Sequence, residues 1–190
     1  MVHAIGALDV AAWLLWLAVL LLAASSLALI IVGDRTSRAV LLFSAVGALI
    51  LDLALAAVAR STAPPLIGLP LVVVGLTLAV LGGSGLTRTV LTMSGGAPDT
   101  GTHGGIVPAG VDGQEVLRGG RTIGYLERAA TAAAIVAGFP EAIAVVVAIK
   151  GVGRFTELGE AETRERFIIG TLTSLLWASL VAGMVRLAIS

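Results

Sequence analysis

Long apolar stretches dominate the chain, and they predict membrane-spanning helices. The first, over 10–32, has about 23 residues, which at about 1.5 Å each reach across a hydrocarbon core of about 30 Å. Two more, over 38–59 and 66–81, are separated by a polar run that ends in Pro64 and Pro65. Another covers 167–187. The pattern therefore predicts three spanning helices in the first half and one at the C-terminus.

The glycine-rich middle of the chain predicts a connection between two parts. The run Gly82-Gly83-Ser84-Gly85 predicts the end of the third helix. Over 87–117 no period of two or 3.6 residues persists, which is typical of a flexible loop. No phosphate-loop motif occurs there. We therefore divide the chain into a three-helix unit (1–86), a glycine-rich cytoplasmic loop (87–118) and a C-terminal unit (119–190).

The segment after the loop is interpreted as two short helices, over 121–137 and 140–154, and not as one long helix. Gly138 suits the position just after a helix, Pro140 suits the first turn of the next, and Glu141 suits its positive N-terminal dipole. The two helices then form a hairpin, which either crosses the membrane with tilt or re-enters on the same side. The predicted fold class is an all-α polytopic membrane protein: three spans, a helical hairpin and a final span.

The distribution of basic residues supports the hairpin. One continuous helix would place seven basic residues on one side and five on the other, which is no signal for orientation. The hairpin leaves Arg60 and Arg186 outside. It places the other ten inside: Arg35, Arg38, Arg88, Arg118, Arg121, Arg128, Lys150, Arg154, Arg164 and Arg166. The positive-inside rule therefore predicts both termini outside.

Composition narrows the class of protein. The chain has 57% hydrophobic and 13% charged residues and a mean hydropathy of +1.04, far from the values of soluble domains. Its net charge of zero gives no nucleic-acid footprint. It has no cysteine and two histidines, so neither a metal site nor a cofactor is expected. The first basic side chain follows the first apolar stretch, so that stretch is interpreted as a retained span.

The residue usage also suggests a source. Arginine far outnumbers lysine, and alanine, valine, leucine and glycine are abundant. This bias is typical of a GC-rich bacterial genome. The expected location is therefore a bacterial cytoplasmic (inner) membrane.

Asp52 is an ionisable residue inside a predicted span. Such a group costs about 2.5–3.5 kcal/mol at mid-membrane, and it is by default a functional hypothesis. Asp52 lies only eight residues before Arg60, so an off-centre, protonated or hydrogen-bonded carboxyl is the alternative. With Thr173 and Ser174 of the last helix, Asp52 is the candidate for ion or proton handling.

Basic residues of the C-terminal unit gather at the predicted cytoplasmic ends of its helices. We call five of them the cationic rim: Arg121, Arg128, Lys150, Arg154 and Arg166. The rim is a candidate site for an anion or a lipid headgroup. Two alternatives remain open: anchoring of helix ends at the headgroups, and salt bridges with Glu127, Glu157 and Glu165.

The C-terminal unit also carries a block of short sequence strings. The pattern is G-R-x-I-G-x-L-E-R from Gly120, A-I-K ending at Lys150, R-F at Arg154, and E-R-F-I-I-G-T-x-x-S ending at Ser174. This block, covering about 55 residues, resembles a segment of uncharacterised bacterial integral-membrane proteins. The resemblance implies membrane insertion and no particular reaction.

Three function classes are compatible with these features. The first is a protein that moves or gates a small solute or ion, as a homo-oligomer or as a subunit of a larger membrane complex. The second is a membrane-embedded interaction or regulatory protein whose cationic rim binds anionic lipid or a partner. An enzyme is the least favoured, because neither H-E-x-x-H nor G-x-S-x-G occurs.

Overall fold

Six helices make up the parts of the chain that the structure, a computed structural model, describes: residues 2–59, 61–94, 120–154 and 161–190. They are α1 Val2–Thr36, α2 Ala39–Val58, α3 Pro65–Met93, α4 Gly120–Val136, α5 Ala142–Arg154 and α6 Ala161–Ile189. The described residues contain no strand. The predicted all-α class is confirmed, with its three N-terminal helices, hairpin and final helix in the expected order.

Four of the helices are long and apolar enough to cross a membrane. They are Val10–Thr36, Ala39–Val58, Pro65–Met93 and Thr163–Ile189. Large apolar side chains cover their outer surfaces, among them Val40 on α2 and Leu66 and Leu69 on α3, each at least 70% exposed. A soluble domain rarely leaves so much apolar surface in contact with water. The protein is therefore a polytopic helical membrane protein.

The third helix is longer than the sequence predicts. It continues through 82–85 to Met93, so the expectation that the glycines end it is wrong. The reason is packing: a Cβ at Gly82 would lie 2.5 Å from the Trp177 ring, and one at Gly83 would lie 2.6 Å from Cδ of Arg128. These glycines leave room for side chains of neighbouring helices, so packing compensates for their poor helix propensity. The predicted loop starts within α3, and its residues 95–118 lie outside the described ranges.

Consecutive long helices run in opposite directions, so the bundle has two ends. At the basic end, where α1 and α3 finish, Arg88 Nη1 donates a 2.9 Å hydrogen bond to Asp34 Oδ1. At the far end, where α3 begins and α6 finishes, the N–H of Ala63 donates to the carbonyl of Ala188 at 2.7 Å. α3 contacts α1, α2, α4 and α6, and its contact with α6 is the most extensive.

The turn between α4 and α5 forms as the sequence predicts. Gly138 has a φ of +76°, a left-handed conformation that glycine adopts at little cost. Its N–H donates to the carbonyl of Ile135, and the N–H of Phe139 donates to that of Ala134. This pair of bonds is the Schellman motif that commonly ends a helix. A Cβ at Gly138 would lie 3.3 Å from Arg186 Nη2, so the turn lies at the far end and both open ends of the hairpin lie at the basic end.

The two helices of the hairpin differ in how they pack. α4 packs against α3 and α6, whereas the α5 backbone lies close to α4 alone among the described helices, and its Lys150 side chain reaches Phe167 of α6. No described side chain of α5 is buried, and Val145, Ile149 and Val152 are between 58% and 80% exposed. Most of the apolar surface of α5 therefore lies on the outside of the bundle.

Two apolar clusters form the core of the bundle. One is centred on Trp177 and Leu78, and the other on Trp16 and Met184. The Trp177 indole N–H donates to the carbonyl of Leu78 at 3.0 Å, so its polar group is satisfied inside the first cluster. The contact between α3 and α6 thus depends on a large ring lying against a glycine.

This contact predicts opposite effects for two Gly→Ala substitutions. Gly82→Ala should lower stability by about 1–3 kcal/mol, because its methyl group would overlap the Trp177 ring. Gly47→Ala should be neutral or should stabilise by up to about 1 kcal/mol, because no atom lies within 4 Å and alanine favours the helix. The thermal unfolding midpoints of the purified variants in detergent test this. Equal midpoints for the two variants would contradict the packing described.

Candidate functional site

A buried guanidinium joins three helices in the half of the bundle nearer the basic end. Arg128 of α4 is 3% exposed. Its Nε donates to the carbonyl of Val80 at 2.7 Å, Nη2 donates to Ser84 Oγ at 2.8 Å, and Nη1 donates to Ser174 Oγ at 2.9 Å. The guanidinium also lies 5.3 Å from the centre of the Tyr125 ring. We call Arg128 with Val80, Ser84 and Ser174 the arginine site.

The arginine site differs from the surface position that the sequence predicts. An arginine near a helix end usually extends its charge to water or headgroups. Here Gly83 removes the side chain that would block Arg128, and two serines and a carbonyl receive its N–H groups. Three of the five N–H groups are used, so each terminal nitrogen keeps one N–H with no partner in the described part of the chain.

An ion pair lies next to the arginine site. Lys150 Nζ of α5 lies 2.5 Å from Glu127 Oε2, and the two side chains are 18% and 8% exposed. The ammonium also lies 5.7 Å from the centre of the Phe167 ring of α6. Glu127 Oε1 is buried and accepts no hydrogen bond from the described residues. Lys150 neutralises Glu127, and no carboxylate of the described residues accepts a hydrogen bond from the Arg128 guanidinium.

Three threonine hydroxyls near the arginine site have buried oxygens without a hydrogen-bond partner in the described ranges: Thr87, Thr131 and Thr171. Each follows or precedes a residue of the site by one helical turn, since Thr87 is three residues after Ser84 and Thr171 is three before Ser174. A Cβ at Gly170 would lie 3.5 Å from Thr87 Cγ2, so α3 and α6 are close at this level. A buried hydroxyl without a partner is costly, which makes this region a candidate binding site.

Asp52 forms a second, separate polar site. It lies on the buried face of α2, in line with Leu49 and Ala56, and is 0% exposed. Neither carboxylate oxygen has a hydrogen-bond partner among the described residues. The residue lies six positions before the end of α2, about 9 Å along the axis. It is not hydrogen-bonded to Ser174, which accepts from Arg128 instead.

The remaining predicted site residues are distributed as follows. Arg121 and Glu165 are exposed, whereas Arg166 and Thr173 are half-buried. Arg154 ends α5, but its side chain lies outside the described atoms, and Glu157 lies outside the described residues. Of the cationic rim, Arg128 and Lys150 thus come together with Glu127, one of the predicted salt-bridge partners.

Sequence reasoning missed the α3 part of the site. Ser84 and Thr87 follow Gly82 and Gly83, at which the sequence predicts the end of the third helix. That prediction leaves both residues outside the bundle. Thr131 and Thr171 are isolated hydroxyl residues in apolar stretches, and such residues usually bond to their own helix. Of the residues that come together here, the sequence analysis selected Arg128, Lys150 and Ser174, and no local signal marks Ser84 or Thr87.

The chemistry available at the arginine site is hydrogen-bond donation from a fixed cation. Among the described residues of this site, no hydroxyl is paired with a general base that could activate it as a nucleophile. The described residues also contain no group of three His, Cys, Asp or Glu side chains that could hold a metal ion.

The buried ion pair predicts a stability difference between two Lys/Arg→Met variants. Lys150→Met would leave the Glu127 carboxylate buried without its cation, which should cost on the order of 3 kcal/mol. Arg88→Met, a matched change in the exposed pair with Asp34, should cost about 1 kcal/mol or less. Adding Glu127→Gln to Lys150→Met should recover part of the loss. The midpoints of thermal unfolding measure these effects, and a loss as small as that of Arg88→Met would argue against a buried pair.

Comparisons with protein-family models, with curated proteins and with solved structures found no match for this chain. The function is therefore inferred from the geometry at Arg128 and at Asp52.

Proposed function

We propose that this integral membrane protein moves or gates a small solute or ion, as an oligomer or as a subunit of a larger membrane complex. The observation that carries the proposal is the burial of the Asp52 carboxyl group inside α2. A carboxyl group that is 0% exposed, and whose two oxygens have no hydrogen-bond partner among the described residues, contributes nothing to packing that an apolar residue would not contribute better. Ionisable residues kept inside membrane spans at such a cost mark pathways for ions or protons.

The interior of the bundle supports the same proposal. An interaction protein would be expected to have a dry core, with its charges confined to one rim. Here Glu127 and Arg128 are at least 90% buried, and three threonine hydroxyls near them have no partner in the described ranges. The bundle thus contains charged and polar groups at two places, in α2 and between α3, α4 and α6.

The proposed orientation places the basic end in the cytoplasm of a bacterial cell. Support comes from the ten-to-two distribution of basic residues that the hairpin produces. The turn at Gly138 lies near Arg186, at the end opposite to the Arg88–Asp34 pair. In this orientation both termini are outside.

A second candidate function is a membrane-embedded interaction protein that binds anionic lipid or another protein. The observation that favours it is α5, whose backbone lies close to α4 alone among the described helices and whose Val145, Ile149 and Val152 are exposed. Lipid or a partner helix can cover such a surface. The cationic rim supports it less, because Arg128 is buried and Lys150 is paired with Glu127.

Replacing Asp52 by Asn tests the proposed function. We expect Asp52→Asn to reduce proton flux into proteoliposomes at least tenfold, because the amide cannot exchange a proton. Flux is measured with a trapped pH-sensitive dye under an imposed potential. Asp34→Asn is the matched control and should leave flux unchanged, since Asp34 lies in an exposed pair at the basic end.

The unfolding midpoint and the flux together test the alternative that Asp52 has no role in ion or proton handling. If Asp52 has no functional role, Asp52→Asn should raise the unfolding midpoint, because a buried carboxyl without partners is replaced by a neutral group, and flux should be the same as in the wild type. That combination would refute ion or proton handling by Asp52.

Cysteine labelling tests the orientation, with no background because the chain has no cysteine. Single cysteines at Thr122 and Gly153 should both be protected from a membrane-impermeant maleimide in intact cells, since both ends of the hairpin lie at the basic end. A cysteine at Ser61 should react. Labelling of Gly153→Cys but not of Thr122→Cys would contradict the hairpin.

A further inference from the structure

The arginine site carries an unbalanced positive charge. Arg128 is always protonated, and among the described residues its hydrogen-bond acceptors are two hydroxyls and one carbonyl. The neighbouring Glu127 is neutralised by Lys150 at 2.5 Å. Taken together, the three side chains have a net charge of +1. A buried charge that no described residue matches is costly, so the site favours one further negative charge.

Two of the three hydroxyls without partners among the described residues lie on the basic-end side of the guanidinium, whereas the third, Thr131, follows Arg128 by one turn and lies toward the far end. α3 runs toward the basic end, so Thr87 lies one turn nearer that end than Ser84. α6 runs the other way, so Thr171 also lies one turn nearer that end than Ser174. Both hydroxyl oxygens are buried and unpaired within the described part of the chain, and Thr171 is 9% exposed. These hydroxyls and the unused guanidinium N–H groups therefore belong to the same part of the bundle.

Glycines allow close packing on this side of the site. Gly124 lies one turn before Arg128 on α4, and a Cβ there would lie 3.3 Å from Arg128 Nη1. Gly170, beside Thr171, has Thr87 Cγ2 at 3.5 Å from the position of a Cβ. The Tyr125 ring, 5.3 Å from the guanidinium, belongs to the same side, since Tyr125 precedes Arg128 by one turn of α4.

We propose that Arg128, Thr87 and Thr171 form a binding site for one small oxyanion, which reaches it from the basic end. Two N–H groups on neighbouring nitrogens match two oxygens of a phosphate, sulfate or carboxylate. The threonine hydroxyls donate to the remaining oxygens. The same chemistry is offered by a free anion and by the phosphate of a lipid headgroup. This inference concerns what the bundle binds, and it is independent of whether Asp52 handles an ion.

The charge arrangement selects against other ligands. A cation would be repelled by the net charge of +1. A multiply charged anion would meet the carboxylate of Glu127, which is adjacent to Arg128 in sequence and has one oxygen without a partner among the described residues. The site therefore favours a singly charged oxyanion, such as the monobasic form of phosphate, over a fully ionised one.

Inorganic phosphate is the probe for the free anion. The purified protein in zwitterionic detergent is titrated with sodium phosphate at constant ionic strength, and binding is followed by calorimetry and by the unfolding midpoint. We expect a saturable rise of the midpoint in the wild type. Thr171→Val and Thr87→Val should each weaken binding about tenfold, since each removes one hydrogen bond to a charged group. Arg128→Lys should abolish it, because the ammonium lacks the paired N–H groups.

The matched control is Thr92→Val, also on α3. Its hydroxyl is exposed and donates to the carbonyl of Arg88 in its own helix, so phosphate binding should be unchanged. The Thr→Val variants keep the side-chain shape, so the test remains decisive even if Arg128→Lys does not fold.

A second arm identifies a lipid source. Protein is reconstituted with phosphatidylglycerol or with phosphatidylcholine, repurified, and assayed for bound lipid phosphorus. Retention of phosphatidylglycerol that Thr171→Val loses and Thr92→Val keeps would assign the oxyanion to a headgroup. The inference is overturned if the wild type responds to neither probe. It is also overturned if both valine variants at the site bind like the wild type, as expected if water fills the site.

Discussion

The fold of the C-terminal half depends on how the bundle accommodates one guanidinium. α4 buries Glu127, Arg128 and Thr131 as well as alanines, so apolar packing alone does not account for its position. Arg128 can be buried only where carbonyl and hydroxyl groups accept its N–H groups, and Val80, Ser84 and Ser174 provide them on α3 and α6. Gly83 is required in the same place, because any side chain there would occupy the space of the arginine.

Features of the fold that depend on local sequence could be predicted. The spans follow from the length of the apolar stretches, and the hairpin follows from Gly138, whose left-handed conformation ends α4 in a Schellman motif. Features that depend on a neighbouring helix could not. Gly82 looks like a helix breaker in sequence, yet it lies mid-helix because Trp177 needs the space. Likewise, nothing local to Arg128 indicates that its partners lie more than forty residues away in both directions.

The two polar sites impose different physical demands. Asp52 belongs to the buried face of α2 and has neither a cation nor a donor among the described residues. Arg128 donates hydrogen bonds to a carbonyl and two hydroxyls, and no carboxylate among the described residues accepts from it. The acid and the base are not paired with each other, although pairing would lower the cost of both. Keeping them apart is what the two proposals require, one site for a positive species and another for a negative one.

The length of α5 has a consequence for the surrounding bilayer. Thirteen residues extend about 20 Å along a helix axis, about 10 Å less than the thickness of a typical hydrocarbon core. Its exposed valines and Ile149 favour lipid tails along its whole length. If lipid surrounds this helix as it crosses, the neighbouring lipids shorten, at a cost of fractions of a kcal/mol per Å. The hairpin side then favours a thinner bilayer than the long helices α1 and α3 do.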